Sequence, residues 1–567
     1  MFWYLCLAAA ILMLAAGVFV TVYGKNGDQR IGVILILLFA ATYVAYFPII
    51  TAAYDAETAL LGNLLHTLRV ISLDADFLEY YDLVTQSVRN GLIGKVYLTV
   101  LGLLHVLLPI VSMVGVYSII VRYFAGVQLR AINRHKRPLY IFSEPNTASE
   151  ALAASIRASA PKCDIIFASS PDKAEGKSTM RKQHSSFQSG SMTSLKINHK
   201  KGKDIYYVCC ADDDCNLNDA LRLLEASAAR SKECQQHTHI LLFSELDDID
   251  ILVDSSDKAA TDVRVINKSE EIAYKLLNEH PLYDAARDGT VSVLLVGLSS
   301  VNIALFRAIS WCGQLSDCKL KIDVAGIGIE PQIEQLKNRV PALCSGWHDV
   351  SFFSCDTEQA LEAYLTENCA KANYICVSGG SDADNIDRAI RLRRLYYGID
   401  GAYDNPPQLY VHTDSEEKHS VVEALRTSET NPKRRVSYGL TPFGSSAEVF
   451  TYRDVIDPDR ETLSRNVHLV YTDIFSDTEI DVPDALEQYN LFEVNKRSNR
   501  ANAMHIRYKL ALLGLDYTED ADAQEVELTD YLSDERLEEL TLAEHDRWMA
   551  FLESEGWVTA TLPQVEA

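Results

Sequence analysis

The sequence predicts a membrane α-helical N-terminus of three transmembrane helices, then tandem α/β units with parallel sheets, then a small α-helical C-terminal part. Three observations predict it. The apolar stretches 2–23, 31–53 and 96–121 contain no Lys, Arg, Asp or Glu. From residue 137 onward, short apolar runs alternate with helical segments of mixed polarity. Beyond residue 488, two helix-patterned segments set Asn, Arg, His and Trp beside an apolar face.

Each apolar stretch meets the length of ~20 residues that a helix needs to cross the hydrocarbon core. The first lacks a basic n-region, and its apolar run is too long for a signal peptide, so it reads as a membrane helix. Pro48 and Pro109 read as kinks. His105 reads as a neutral residue hydrogen-bonded between helices, or as part of a pathway. Arg122, Arg130, Arg134, Lys136 and Arg137 crowd the exit of the third stretch, which places that end in the cytoplasm. The expected location is the inner (plasma) membrane, with the N-terminus outside and the α/β and C-terminal parts inside. The stretch 55–94 then lies outside. Its segment 60–71 has the apolar spacing of a re-entrant or interfacial helix. No TVGYG-type filter is present. Three helices are too few to enclose a pore, so permeation requires a homo-oligomer in the lipid bilayer.

A formal charge of −25 over 567 residues argues against nucleic acid as a partner. The 12 Cys lack metal-ligand spacing and read as reduced core cysteines, with no disulfide and no zinc site. The sequence holds no G-x-S-x-G, H-E-x-x-H or Walker A pattern, so no enzyme activity is expected.

Runs 139–142, 164–168, 205–210, 240–243 and 263–266 read as strands of a first parallel sheet. The pattern restarts with 291–296, 320–325, 350–354, 374–377 and 409–412. Residues 378–385 stand in the second unit where 211–216 stand in the first, and each is followed by a helix (217–228, 386–397). The chain therefore reads as an internal repeat of a Rossmann-like unit. The expected domains are 1–136, 137–285, 286–445 and 446–567. Residues 169–203, rich in Ser, Lys, His and Gln, read as a flexible insertion. Its cluster Lys196, His199, Lys200, Lys201 and Lys203 reads as solvated or as touching anionic lipid.

A strand, a turn and a helix N-terminus in that order form an anion-binding corner, because free N–H groups and the helix dipole point at the ligand. Neither unit has G-x-G-x-x-G. The first corner has no Gly, and the second has only Gly297, with Ser299 nearby. Gly297 and Ser299 are the candidate cofactor positions. The glycine deficit favours a structural Rossmann fold, with nucleotide binding in the second unit as the lesser option.

This arrangement, with Asp212-Asp-Asp-Cys-Asn-Leu-Asn-Asp-Ala220, resembles the TrkA-N/RCK type of regulatory domain over residues 137–440. The resemblance implies an NAD(H)-responsive regulatory subunit of an ion (potassium) transport system.

The C-terminal pair is Asn495-Lys-Arg-Ser-Asn-Arg-Ala-Asn-Ala-Met-His505 and Leu542-Ala-Glu-His-Asp-Arg-Trp548, the latter followed by Gly556-Trp557. Asn499, Ala503, Ile506 and Leu510 fall at helical spacing, as do His545, Trp548 and Leu552. Two such helices side by side make a cleft with aromatic walls and charged donors. The pair resembles the prokaryotic form of the ryanodine-receptor (RyR) repeat domain over residues 489–557. The upstream segment 465–471 is similar to the helix that leads into it. The resemblance implies a sensor of nucleotide-derived signals in bacterial conflict systems, with an ADP-ribose-like molecule, a cyclic nucleotide or NAD as ligand. It points to Arg497, Asn499, Arg500, His545, Arg547, Trp548 and Trp557 as ligand positions. Arg would pair with phosphate and Trp would stack on a base. The plainer readings are that Trp548 and Trp557 are core, that Glu544 and Arg547 form a helix-surface pair, and that Asn499 holds a turn.

The expected function is a membrane-anchored sensor and effector, an oligomeric ion channel or permeability effector gated by that ligand. The regulatory subunit is one alternative. A membrane-tethered scaffold without ligand is another.

Overall fold

The computed structural model describes residues 1–567 except 24–26, 54–55, 76–80, 89–90, 170–185, 189, 200–201, 247–248, 257, 259, 317, 346, 399–405, 428–438, 457–458, 477–479, 492, 519–522 and 559–567. The chain divides into two units, Met1–Arg134 and His135–Ala567. That division falls beside the expected boundary at 136. The expected boundaries at 285 and 445 both lie inside the second unit.

The first unit contains α1 (Phe2–Tyr23), α2 (Gly27–Ala53), α3 (Ala56–Ile71), α4 (Tyr81–Ser87) and α5 (Gly91–Arg134). Among the described residues three stretches, Phe2–Thr21, Val33–Ala52 and Gly91–Val116, are long and apolar enough to cross a membrane. Helix α5 has 44 residues, so at ~1.5 Å per residue it is ~66 Å long. That exceeds the ~30 Å hydrocarbon core, and the helix runs on through Arg130 and Arg134 without a break. Leu38, Ala41, Ala45 and Tyr46 of α2 share a buried core with Tyr97, Leu101 and Leu104 of α5.

Helix α3 is amphipathic in the reverse sense of a helix in water. Asn63, His66 and Thr67 are buried, while Leu60, Leu61, Leu64, Leu65 and Leu68 are exposed. In hydrocarbon an outward leucine face costs nothing, and polar groups must find partners inside. Asn63 Nδ2 donates to Tyr43 O at 2.7 Å, and Thr67 Oγ1 to Asn63 O at 2.8 Å. Tyr46 Oη lies 3.3 Å from His105 Nδ1, an interhelical contact of the kind expected for that histidine.

The second unit holds two six-stranded sheets. In chain order its strands are β1 (Leu139–Phe142), β2 (Asp164–Phe167), β3 (Ser186–Phe187), β4 (Ile205–Cys209), β5 (Thr238–Phe243), β6 (Asp262–Ile266), β7 (Thr290–Val296), β8 (Lys319–Ile327), β9 (Asp349–Cys355), β10 (Tyr374–Val377), β11 (Gln408–His412) and β12 (Leu440–Phe443). The sheet orders are β3-β2-β1-β4-β5-β6 and β12-β11-β10-β7-β8-β9. Counted from its own first strand, each sheet has the doubly wound order of a Rossmann fold. All the pairings are parallel. The tandem Rossmann-like repeat read from the sequence is therefore the architecture of this unit. Strands such as Leu139–Phe142 are buried along their whole length. Parallel sheets covered on both faces require that, so these strands read as continuous apolar runs.

The helices used below are α6 (Thr147–Ser159), α7 (Asp213–Ala228), α8 (Lys268–Glu279), α9 (Ser300–Cys312), α10 (Glu330–Arg339), α11 (Glu358–Asn368), α12 (Asp382–Tyr397), α13 (Glu416–Thr427), α14 (Asp459–Ile474), α15 (Val482–Leu491), α16 (Glu493–Leu512) and α17 (Asp534–Ser554). One buried cluster takes in Phe142 and Leu241 of the first sheet, Val293 of the second, Trp311 of α9, Tyr508 of α16 and Phe551 of α17. The C-terminal helices thus share a core with both Rossmann-like halves.

The structure departs from the sequence reading in three places. Strand β3 lies inside the stretch read as a flexible insertion, much of which is outside the described residues. Phe187 stacks on Phe167 at 5.5 Å, which fixes this two-residue edge strand. Of the basic cluster there, Lys203 is buried rather than solvated. Strand β12 contains Pro442, paired opposite Val411, and a proline is tolerated at a sheet edge. Helices α7 and α12 begin earlier than read, because Asp212 and Ser381 act as N-caps to the amides of Cys215 and Asp384.

Candidate functional site

The corner after β1 is closed by side chains. Asn146 caps α6 in a capping box with Ser149. Its Nδ2 donates to Cys210 O, and Cys210 N donates to Ser143 Oγ at 2.8 Å. The loops after β1 and β4 are thus tied together.

The corner after β7 is closed by backbone. Gly297 has φ +86°, and a Cβ there would overlap Gly379 Cα and stand 2.7 Å from Ser378 O. Ser299 Oγ lies 2.7 Å from Ser378 Oγ, and Asn302 Nδ2 donates to Gly297 O at 2.8 Å and Ser378 O at 3.1 Å. Gly297 and Ser299 are therefore engaged in packing the β7 loop against the β10 loop.

Two asparagines repeat this stitching in both halves. Asn216 Oδ1 accepts from Ala211 N at 2.6 Å, and its Nδ2 donates to Phe243 O at 2.9 Å. Asn385 Oδ1 accepts from Gly379 N and Gly380 N at 3.1 Å each, and its Nδ2 donates to His412 O at 3.2 Å. Each binds its own turn to the end of the next strand. The shared signal in sequence is an N-cap followed four residues later by Asn.

The C-terminal helices build an open cleft of about 470 Å³ between α14, α16 and α17, lined by Tyr471, Ser498, Asn499, Asn502, Thr541, Glu544, His545, Arg547 and Trp548. Glu544 organises its floor. It accepts from Arg547 Nε and Nη2 at 3.0 Å each, from Asn502 Nδ2 at 2.9 Å, and pairs with Lys509 Nζ at 2.7 Å. Burial pushes the Glu544 carboxyl up, but the hydrogen bond and charge of Arg547, with Lys509, hold it below its ordinary value. Burial holds the Lys509 ammonium below its ordinary value, against the pull of Glu544.

Arg547 is only 1% exposed, and its Nη1 has no hydrogen-bond partner among the described residues. A buried charged donor left unpaired is costly. Trp548 and Tyr471 stay 45% and 42% exposed at the rim. The cleft thus combines aromatic surface at its rim with a buried guanidinium that is bound to Glu544 through Nε and Nη2 and has one unpartnered nitrogen, Nη1.

Of the sequence-derived ligand positions, the structure brings Asn499, His545, Arg547 and Trp548 together here. Arg497 and Arg500 point away from the cleft. Arg497 pairs with Glu270 at 2.8 Å and Glu555 at 3.1 Å, and Arg500 with Glu461 and Glu493 at 2.7 Å each. Trp557 lies beyond the end of α17, 59% exposed and in the lining of neither cavity. Sequence reasoning missed Tyr471, Asn502 and Lys509. The last two lie three and ten residues along the helix from Asn499, on the cleft side, and helical periodicity was the available signal for them.

The opposite face of α16 borders an enclosed cavity of about 50 Å³, lined by Arg307, Arg339, Arg460, Arg497 and Arg500 with Glu270, Glu271, Glu493 and apolar neighbours. Arg307 joins Glu555 at 2.6 Å and Glu270 at 3.4 Å. Burial pushes Glu461 up, yet the charge and hydrogen bond of Arg500 outweigh it and bring its carboxyl down to about 2. Among the described residues, no group of three or more His, Cys, Asp or Glu is placed to hold a metal ion.

No family model matches the sequence, and no curated protein does either. Solved structures of the GsuK channel are similar in backbone. The GsuK channel is 12% identical over 75% of this chain and 97% of that one, with a TM-score of 0.36. GsuK bound to ADP is 13% identical over 75% and 96%, with a TM-score of 0.34. GsuK bound to NAD is 11% identical over 75% and 83%, with a TM-score of 0.33. Likeness at this level carries no argument about what this chain binds or does.

Proposed function

We propose that the chain is a membrane-anchored sensor whose α14–α16–α17 cleft binds a nucleotide-type ligand and thereby governs an oligomer of the membrane helices. One observation carries the reading. Arg547 is buried at the floor of a 470 Å³ cleft with an unpartnered Nη1, directly beside the exposed ring of Trp548. The volume falls within the ~300–1,000 Å³ range of small-molecule sites. A base stacks on Trp548, and a phosphate or carbonyl oxygen accepts from Arg547 Nη1. The ligand regulates only if it binds one membrane state better than the other.

The test is a thermal-shift screen of the full-length protein in detergent against ADP-ribose, cyclic nucleotides, NAD and NADH. A ligand at 100 times its dissociation constant stabilises by ~2.7 kcal/mol. The expected result is a rise in melting temperature that Trp548→Ala abolishes. No response to any ligand, or a response that Trp548→Ala leaves intact, counts against the cleft.

The strand order of both sheets favours a second reading, an NAD(H)-responsive, TrkA/RCK-like regulatory subunit of a potassium transport system. The closed corners at Asn146 and Gly297 oppose it. This reading expects NADH binding that is indifferent to Trp548→Ala.

A further inference from the structure

We propose that the enclosed arginine cavity is a second ligand site, separate from the Trp548 cleft, and that it takes a small multiply charged anion of the phosphate or pyrophosphate class. Its guanidiniums come from four helices, α9 (Arg307), α10 (Arg339), α14 (Arg460) and α16 (Arg497, Arg500). The cavity therefore exists only where the second Rossmann-like half and the C-terminal helices meet α8 of the first half. The lining holds five guanidiniums and three carboxylates, while Glu555 and Glu461 pair with Arg307, Arg497 and Arg500 from outside it.

The pairing at Arg460 is one-sided. A single nitrogen, Nη2, donates to both oxygens of Glu271 at 2.7 and 2.8 Å. Arg460 Nε is buried with no hydrogen-bond partner among the described residues. A fully used arginine fork donates two parallel N–H groups, and two oxygens of a tetrahedral phosphate can accept them side by side. The guanidinium also lies 5.2 Å over the Tyr274 ring, which fixes its plane. Glu271 and Glu270 stand in this cavity as resident anions, held on α8 where an incoming anion would compete with them. The free space of about 50 Å³ exceeds the ~10–15 Å³ that one water requires. It suits a phosphate group and not a whole nucleotide.

The test is calorimetric titration of the full-length protein in detergent with inorganic pyrophosphate at fixed ionic strength, followed by competition with ADP. Wild type should bind saturably at one site per chain. Glu271→Gln keeps the side-chain shape but removes the resident charge, so it should tighten binding roughly tenfold, and Arg460→Gln should weaken it roughly tenfold. Trp548→Ala should leave pyrophosphate binding unchanged, which separates this site from the cleft. Competition by ADP would identify the anion as the phosphate end of a nucleotide, and its absence would identify a free phosphate. A network that only holds the fold together predicts lower melting temperatures for both variants and no titration heat. Absence of saturable binding in wild type and in Glu271→Gln, or binding indifferent to Arg460→Gln, would overturn the proposal.

Discussion

At the residue scale the cleft turns on Glu544. One carboxylate holds Arg547, Lys509 and Asn502 at once, and so fixes the guanidinium in place. Glu544→Gln is expected to lower stability by about 1–3 kcal/mol, since it weakens hydrogen bonds to charged groups in a half-buried setting. Urea unfolding followed by circular dichroism would measure it. Arg547→Lys should keep the fold but weaken ligand binding, because an ammonium cannot hold Glu544 bidentately and also reach the cleft. The motif Glu544-His-Asp-Arg-Trp548 was legible in sequence, and four of the seven expected ligand positions, Asn499, His545, Arg547 and Trp548, line one cleft. Arg497 and Asn499 were grouped together although residues two apart on a helix face roughly opposite directions. That separation was computable from periodicity. Tyr471, which reaches the cleft from a helix far upstream, was not.

At the element scale, the repeat was legible because fully buried parallel strands read as unbroken apolar runs. Strands β3 and β12 escaped because one has two residues and the other carries Pro442. The turn glycines were read for phosphate, whereas Gly297 serves close contact between loops. Gly297→Ala is expected to cost roughly 1–3 kcal/mol, from its left-handed backbone and its collision with Gly379. Gly328 also has a positive φ but has nothing within 4 Å of a Cβ. Gly328→Ala should therefore lower the melting temperature less.

The contact between α14 and α16 should be acid-sensitive. Arg500 holds Glu461 at about 2 in the folded chain, against ~4.3 for an unperturbed glutamate. A depressed carboxyl contributes stability that is complete above the unfolded value and is lost as pH falls toward the folded one. Melting temperature should thus drop between pH ~4.3 and ~2, and Arg500→Gln should flatten that part of the profile. A wild-type profile that is level across the window would remove this pair as a determinant.

At the scale of the whole molecule, the last membrane-type helix runs on to Arg134, which closes the first unit, and α/β structure begins with β1 at Leu139. Charge and length alone did not show that α3 would turn its polar residues inward, since burial of Asn63 depends on the Tyr43 carbonyl of α2 and that of Thr67 on the Asn63 carbonyl of α3 itself. Nor did they show that the C-terminal helices share one core with both Rossmann-like halves. With three helices apolar enough to cross a membrane among the described residues, any pore calls for several copies. Chemical cross-linking of the protein in native membranes should therefore yield a ladder ending at a closed oligomer.

The central claim joins the Trp548 cleft to the membrane helices. Its most direct test is cation release from liposomes containing the full-length protein, recorded as ADP-ribose, a cyclic nucleotide or NAD is added to the side that carries residues 135–567. The account expects at least one of these to change the release rate with wild type and to have no effect with Trp548→Ala. An unchanged rate with every ligand, or an equal response in both proteins, would contradict it.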